Sequence, residues 1–163
     1  TGTGFDYFPN GNLKSKAEFK NDEPHGLTLF YYESGKLKGE YNYFEGGVHG
    51  VAKDYFENGN LKAEKYFENN YAEKIHKIFH ENGNIKNELS YSRGNLNGIS
   101  KSFYEDGSLW TVQNYSKELL DGETKIYRKD GTLWFVDVYE KGILKNSTEY
   151  SLDGKTILGK TAK

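Results

Sequence analysis

The sequence predicts an all-β protein, folded as an elongated single-layer antiparallel meander, and three regularities lead to that prediction. Glycine recurs every 24 residues, at Gly11, Gly35, Gly59, Gly83, Gly107 and Gly131. Two residues after each glycine comes an aliphatic residue: Leu13, Leu37, Leu61, Ile85, Leu109 and Leu133. Four residues before each comes an aromatic residue: Tyr7, Tyr31, Tyr55, Phe79, Phe103 and Tyr127. A fixed period of this length is typical of repeat architectures, in which one supersecondary unit stacks on the next.

Each unit is predicted to be a β-hairpin. Two strand-like segments flank an Asn-Gly or Asp-Gly pair, which is a strong short-range hairpin signal. The triplet from Glu57 to Gly59 suits a three-residue loop that ends on a left-handed glycine. In that register Tyr55 lies opposite Leu61, and the aromatic and aliphatic positions share one face of the sheet.

The connections between hairpins also carry turn residues. Residues that tolerate positive φ occur at the equivalent positions Asp22, Gly46, Asn70, Gly94 and Gly142, with Glu118 as the exception. The interior of the chain therefore needs no helix.

The period divides the chain, taken as one domain over residues 1–163, into six units of 24 residues and a degenerate C-terminal half-repeat. The units are 5–28, 29–52, 53–76, 77–100, 101–124 and 125–148, and the cap is 149–163. About 13 strands would make a ribbon about 60 Å long. Aromatic residues are 16% of the chain against 35% for all hydrophobic residues, which indicates that packing between neighbouring aromatic side chains replaces a second layer.

Composition excludes several kinds of chemistry. The chain has no cysteine, so disulfides and thiol chemistry are excluded. A net charge of −2 gives no electrostatic footprint for nucleic acid. His25 and His49 lie one repeat apart, and His76 and His80 are about 13 Å apart on a strand, too far to share a metal. We therefore predict no metal site, no cofactor and no catalytic residues.

The pattern of side chains changes in units five and six. Lys38, Lys62 and Lys86, together with Glu40, Glu64 and Glu88, are predicted by strand alternation to form a solvated face opposite the Leu positions. In the later units the Lys position becomes Trp110 and Trp134, and the Glu position becomes Val112 and Val136, followed by Val138.

Two interpretations of these apolar residues stay open. They form an exposed docking patch for a protein partner, since tryptophan is enriched at binding hot spots. Alternatively, Ile157 and Leu158 of the C-terminal tail fold across them as a cap, with Ile126 completing the cluster. Two further routes to a partner are the aromatic residues of the Leu-bearing face and strand addition at the sheet edges near Phe5 and Tyr150.

The repeat unit resembles the MORN repeat, in its bacterial variant form. The residues that carry the resemblance are Tyr31 to Lys38 with His49 and Gly50, and the matching run from Tyr55 to Lys62. The pattern extends from about Phe5 to Gly154, and His-Gly is missing at 73–74, 97–98, 121–122 and 145–146.

The resemblance implies a non-enzymatic scaffold that mediates protein–protein interaction. Some bacterial members look like antitoxins or immunity proteins paired with a toxin, and others sit in the cell envelope, where membrane lipid contact is a further possibility. Because the chain starts at Thr1 without an initiator methionine, we expect a mature fragment of an envelope or secreted protein. A cytoplasmic location is the expectation for an antitoxin.

Overall fold

The computed structural model describes residues 1–162 and builds them from strands and turns. The strands are β1 (Gly2–Tyr7), β2 (Leu13–Lys20), β3 (Glu23–Tyr31), β4 (Leu37–Phe44), β5 (Gly47–Tyr55), β6 (Leu61–Glu68), β7 (Tyr71–Ala72), β8 (Lys74–Phe79), β9 (Ile85–Ser92), β10 (Asn95–Leu96), β11 (Gly98–Phe103), β12 (Leu109–Ser116), β13 (Leu119–Leu120), β14 (Gly122–Tyr127), β15 (Leu133–Glu140), β16 (Ile143–Tyr150) and β17 (Ile157–Ala162).

All 17 strands belong to one antiparallel sheet, in which strands that follow one another in sequence are paired, except where a short strand continues into the next. The two-residue strands β7, β10 and β13 run on into β8, β11 and β14, so the ribbon is fourteen strands wide when each interrupted strand is counted once. The all-β meander is therefore confirmed. The C-terminal half-repeat contributes β17, which pairs antiparallel with β16.

The glycine loops have the predicted geometry. The Phe56 N–H donates to the Asn60 carbonyl at 2.8 Å, and the Gly59 N–H donates back to the Phe56 carbonyl at 2.9 Å. Gly59 has a φ of 93°, in the left-handed region. Tyr55 is the cross-strand partner of Leu61, as the three-residue loop requires.

The connections between hairpins are two-residue turns in which both residues have positive φ. Asn21 and Asp22 have φ values of 53° and 64°, the pattern of a type I′ turn. Glu118 adopts the same conformation at 70°, although its side chain does not favour it. At Lys117 the positive φ of 48° at the first turn position is not signalled by the residue type.

Each hairpin contains a β-bulge three residues after its glycine. Asp54 pairs with Ala63 and Tyr55 with Leu61, so Lys62 is an extra residue between the two pairs. An extra residue interrupts the alternation of side chains along a strand. The same shift occurs in the other five predicted units.

The bulge corrects the predicted placement of the Lys and Trp positions. The Lys14 ammonium lies 2.9 Å from a carboxylate oxygen of Asp6, which is the cross-strand partner of the adjacent Ser15. The ring of Trp134 lies 5.2 Å from that of the adjacent Phe135. In both hairpins, two successive residues share one face of the sheet. The Lys and Trp positions therefore lie on the other face of the sheet from the Glu positions, and not on the same face as predicted.

The two faces of the ribbon differ in burial. The first, which we call the packed face, carries one small or flat residue per repeat that is at least nine-tenths buried: Thr28, Ala52, His76, Ser100 and Thr124. Aromatic neighbours cover this row; the His76 ring, for example, lies 5.4 Å from Phe67 and 4.5 Å from Tyr91. Packing within one layer therefore supplies the core, as the composition indicates.

The second face, which we call the charged face, carries a row of alternating charges. Successive cross-strand partners in this row are Glu40, Lys53, Glu64, Lys77, Glu88 and Lys101. The predicted ladder of Lys38, Lys62 and Lys86 with the Glu positions is wrong in its lysines: the glutamates pair with Lys53, Lys77 and Lys101, and the bulge lysines lie on the packed face. The Tyr55 hydroxyl donates to Glu40 Oε2 at 3.2 Å, so this tyrosine reaches the charged face.

Polar side chains also tie successive glycine loops together. The Asn60 amide donates to the Glu81 carbonyl at 2.7 Å, and the Asn84 amide donates to the Glu105 carbonyl at 2.9 Å. Within the next loop, hydrogen bonds from the Ser108 hydroxyl and backbone N–H lower the pKa of Asp106 to about 2. The loops therefore form a hydrogen-bonded edge along the ribbon.

Candidate interaction surfaces

Trp110 and Trp134 occupy the bulge position of units five and six, on the packed face. Their side chains are well exposed, with 46% and 39% of each residue accessible. Because β12 and β15 are separated by one strand, the two tryptophans are roughly 10 Å apart along the ribbon. They form the most aromatic exposed site of the C-terminal half.

Each tryptophan is held by a neighbouring side chain. The Tyr104 ring lies 5.8 Å from the Trp110 ring, and the Tyr104 hydroxyl donates to the Tyr127 carbonyl at 2.9 Å. The Arg128 guanidinium lies over the Trp134 ring at 5.4 Å. Both indoles are therefore supported from one side and open on the other.

Arg128 also joins the sixth hairpin to the seventh. Its guanidinium donates to the carbonyls of Leu133, Tyr150 and Ser151 at 3.0, 2.8 and 2.9 Å. The equivalent position in earlier hairpins is aromatic or His, so the sequence repeat did not indicate this role. These bonds hold the guanidinium in place against the Trp134 ring.

The C-terminal tail does not cover the tryptophans. Ile157 and Leu158 belong to β17, which extends the sheet in plane by pairing with β16, and both are exposed. The predicted capping by the tail is therefore wrong. The C-terminal edge of the described sheet is β17 and not the strand that contains Tyr150, which is a second correction.

The valines do not join the tryptophans in one patch. Val112 pairs with Lys101 on one side and Lys125 on the other, and Val136 pairs with Lys125. Val138 pairs with Glu123 on the same face. Val112, Val136 and Val138 thus continue the charged face, while Trp110 and Trp134 lie on the packed face. The β-bulge is the physical reason for this separation.

A groove of about 320 Å³ opens beside Trp110. The Asn87 amide donates to the Ser102 hydroxyl at 2.8 Å across its floor. Its lining consists mainly of apolar and aromatic surface from His80, Lys86, Phe103, Tyr104 and Trp110. A partner side chain inserted here would contact the indole on one side and the Lys86 chain on the other.

A second groove lies at the N-terminal half of the same face. Its volume is about 300 Å³, and Phe30 and Tyr41 line it with rings 5.4 Å apart and nearly perpendicular. The Tyr41 hydroxyl donates to Asp54 Oδ1 at 2.6 Å, and Lys65 lies 2.5 Å from Asp54 Oδ2. Burial and the Asp54 carboxylate raise the pKa of Tyr41 above its usual range. This network closes the floor of the groove.

The histidines serve packing roles. His25 and His49 contact the Phe44 ring at 5.3 and 6.0 Å. His76 is buried, its Nε2 lies 2.9 Å from the Tyr66 carbonyl, and burial lowers its pKa. Over residues 1–162, the structure brings together no group of three or more potential metal ligands.

An open sheet of stacked β-hairpins, each packed on its neighbours, defines a β-hairpin repeat protein. The family described as MORN repeat variant matches five consecutive segments, at residues 1–21, 24–45, 48–69, 72–93 and 96–117. The chain belongs to that family, whose repeats form a non-enzymatic scaffold and generally mediate interaction with proteins or membranes. The matched segments coincide with the hairpins β1–β2, β3–β4, β5–β6, β7–β9 and β10–β12.

A search of curated proteins finds no significant match. The predicted antitoxin, immunity and envelope roles receive no support from the family match and stay predictions. Among the described residues, no helix is long and apolar enough to span a membrane.

Proposed function

We propose that the chain is a non-catalytic scaffold that binds another protein through the packed face of its C-terminal half, with Trp110 and Trp134 as principal contacts. The exposure of both indoles carries the proposal. Four units place lysine at the bulge position, and two place an exposed tryptophan there. Exposed apolar clusters on a protein surface usually mark contacts with a partner.

The two indoles suit partner binding because they are already ordered. Tyr104 supports Trp110, and Arg128 supports Trp134. A side chain that is held before binding loses little conformational entropy in the complex. Tryptophan in such a setting is the residue type most enriched among binding hot spots.

The test compares two double variants of the full chain. The first is Trp110→Ala with Trp134→Ala, and the matched control is Lys38→Ala with Lys62→Ala at the same bulge position of earlier units. Proteins captured by the wild-type chain from its native source are identified, and the affinity of each for the three chains is measured by biolayer interferometry.

We expect the tryptophan variant to bind its partner at least tenfold more weakly, because removal of one hot-spot side chain costs about 2 kcal/mol. The lysine variant should bind as the wild type does. Equal affinity for the tryptophan variant and the wild type would exclude this surface.

A further inference from the structure

Four exposed aliphatic residues recur at one position of successive repeats on the charged face. Leu27, Val51, Ile75 and Ile99 follow one another at intervals of 24 residues and are 40, 41, 54 and 56% accessible. We call this row the aliphatic stripe. It ends at the equivalent Thr3 on one side and Glu123 on the other. This repeat position is aliphatic in four successive repeats and faces solvent, and packing within the ribbon does not explain why.

The stripe has a defined geometry. Its members lie on β3, β5, β8 and β11, which alternate with β4, β6 and β9 in the sheet. Since neighbouring strands are about 4.8 Å apart, successive members are about 9.6 Å apart. Three such steps give a row about 29 Å long that runs across the strands, and the intervening strands place Asn42, Tyr66 and Ser90 between its aliphatic members.

We propose that the aliphatic stripe is the docking site for an amphipathic α-helix of a partner protein, with an aliphatic residue at every seventh position. Seven residues of an α-helix rise about 10.5 Å, close to the stripe spacing of about 9.6 Å. A helix of about 20 residues spans the whole stripe. Apolar anchors at fixed helical intervals are the usual way in which a helix binds a surface groove.

The charged row limits the width of the occupant. Lys53, Lys77 and Lys101 lie two residues beyond Val51, Ile75 and Ile99, or about 6.6 Å along each strand. A second copy packed face to face on the stripe would bury this row, and burial of ion pairs costs more than their attraction returns. A helix about 10 Å across covers the stripe and leaves the charged row at its margin, in contact with solvent.

The charge pattern also predicts the character of binding. Glu and Lys alternate along the row, so the margin of the stripe is nearly neutral. Association should therefore depend on apolar contact and change little with salt concentration. This site lies on the face opposite Trp110 and Trp134, and its test is independent of the proposed function.

The test uses a synthetic peptide of about 24 residues, with leucine at every seventh position and Ala, Gln, Glu and Lys elsewhere. A control peptide has the same composition with the leucines spread around the helix. Fluorescence anisotropy is measured with labelled peptide and unlabelled full chain. We expect saturable one-to-one binding of the first peptide, and binding at least tenfold weaker for the control peptide.

Variants of the chain locate the binding site. Val51→Ser and Ile75→Ser should each weaken binding of the first peptide about tenfold. Ile143→Ser, which changes an aliphatic residue that is 61% accessible outside the stripe, should have no effect. Because all three positions are exposed, circular dichroism should show the same fold for each variant, and Leu27→Ser provides a further stripe variant if one of them fails to fold.

Three results would overturn the proposal. The first is equal binding of the two peptides, and the second is unchanged peptide affinity in the stripe variants. The third is a different occupant: a dimer of the chain in analytical ultracentrifugation, or binding to phosphatidylcholine vesicles, either of which is lost in Ile75→Ser.

Discussion

The half-buried carboxylate of Asp54 should be worth far more to stability than the equivalent carboxylate two repeats earlier. Asp54 accepts hydrogen bonds from the Tyr41 hydroxyl at 2.6 Å and from Lys65 at 2.5 Å, and the Lys65 and Asp54 side chains are 27% and 24% accessible. The equivalent Asp6 pairs with Lys14 at 2.9 Å, but its side chain is 57% accessible. The two sites thus differ in their contact with water and in the Tyr41 hydrogen bond, which Asp6 lacks.

Asp54→Ala removes two hydrogen bonds to a charged group and leaves the Lys65 ammonium without its partner. At about 1.5 kcal/mol for each bond, the free energy of unfolding should fall by about 3 kcal/mol. With a urea dependence of about 2 kcal/mol per molar, the unfolding midpoint should fall by about 1.5 M. Asp6→Ala should leave the midpoint unchanged, since exposed ion pairs contribute little.

The assay is urea unfolding of the wild type and both variants, followed by circular dichroism and by tryptophan fluorescence. The difference between the two midpoint shifts is the informative quantity, because the two carboxylates occupy equivalent positions of different repeats. Equal midpoints for Asp54→Ala and Asp6→Ala would refute the reasoning that burial on a single-layer sheet strengthens this network.

Three further predictions concern the packed face and the turns. Burial holds the pKa of His76 below its usual 6.5, so as the pH falls this histidine is protonated in the unfolded chain before it is protonated in the folded protein. The contribution of His76 to stability should therefore be full above about pH 6.5 and decline below it. In a plot of urea midpoint against pH, His76→Thr should flatten that decline. The buried Thr124 hydroxyl has no hydrogen-bond partner among the described residues, so Thr124→Val should raise the free energy of unfolding by about 1 kcal/mol in the urea assay. The control is Thr132→Val, which removes a hydroxyl that donates to a loop aspartate at 2.6 Å and should lower the free energy of unfolding. Glu118→Gly should raise the thermal midpoint by relieving a left-handed φ of 70°, and Gly142→Glu, the reverse change at an equivalent turn, should lower it.

The hairpins were predictable because their signals are local and repeated. Glu57, Asn58 and Gly59 specify a loop by residue type alone, and the fixed period then places Tyr55 opposite Leu61 in every unit. The turn at Glu118 was predictable from its place in the 24-residue period and not from its residue type. The paired strands on either side of the turn impose the left-handed conformation on it.

The bulge was not predictable, and it decides which face each candidate residue occupies. An extra residue at Lys62 leaves no mark in the sequence, because either neighbour could occupy the bulge and keep the period unchanged. Simple alternation therefore placed Trp110 beside Val112, when they lie on opposite faces. The adjacent aromatic residues Trp134 and Phe135 were the one available hint, since two large rings in succession fit a strand poorly unless it bulges.

The aliphatic stripe shows a different limit. Leu27, Val51, Ile75 and Ile99 stand in the sequence at the same period as the glycines. Periodicity alone cannot separate a row that packs within the ribbon from one that faces solvent. Only the register, which sets Val51 beside Tyr66 and on the face of Lys53, shows that the row is exposed.

Every surface described above depends on the sheet remaining open and one layer thick, and small-angle X-ray scattering of the full chain tests this most directly. Fourteen strands spaced by about 4.8 Å give a ribbon about 62 Å long, with a radius of gyration of about 20 Å. A compact globule of 163 residues would have a radius of gyration of about 15 Å. A value of about 20 Å, with a maximum dimension above about 60 Å, is the predicted result. A value of about 15 Å would contradict the open ribbon, and with it the exposure of Trp110, Trp134 and the aliphatic stripe.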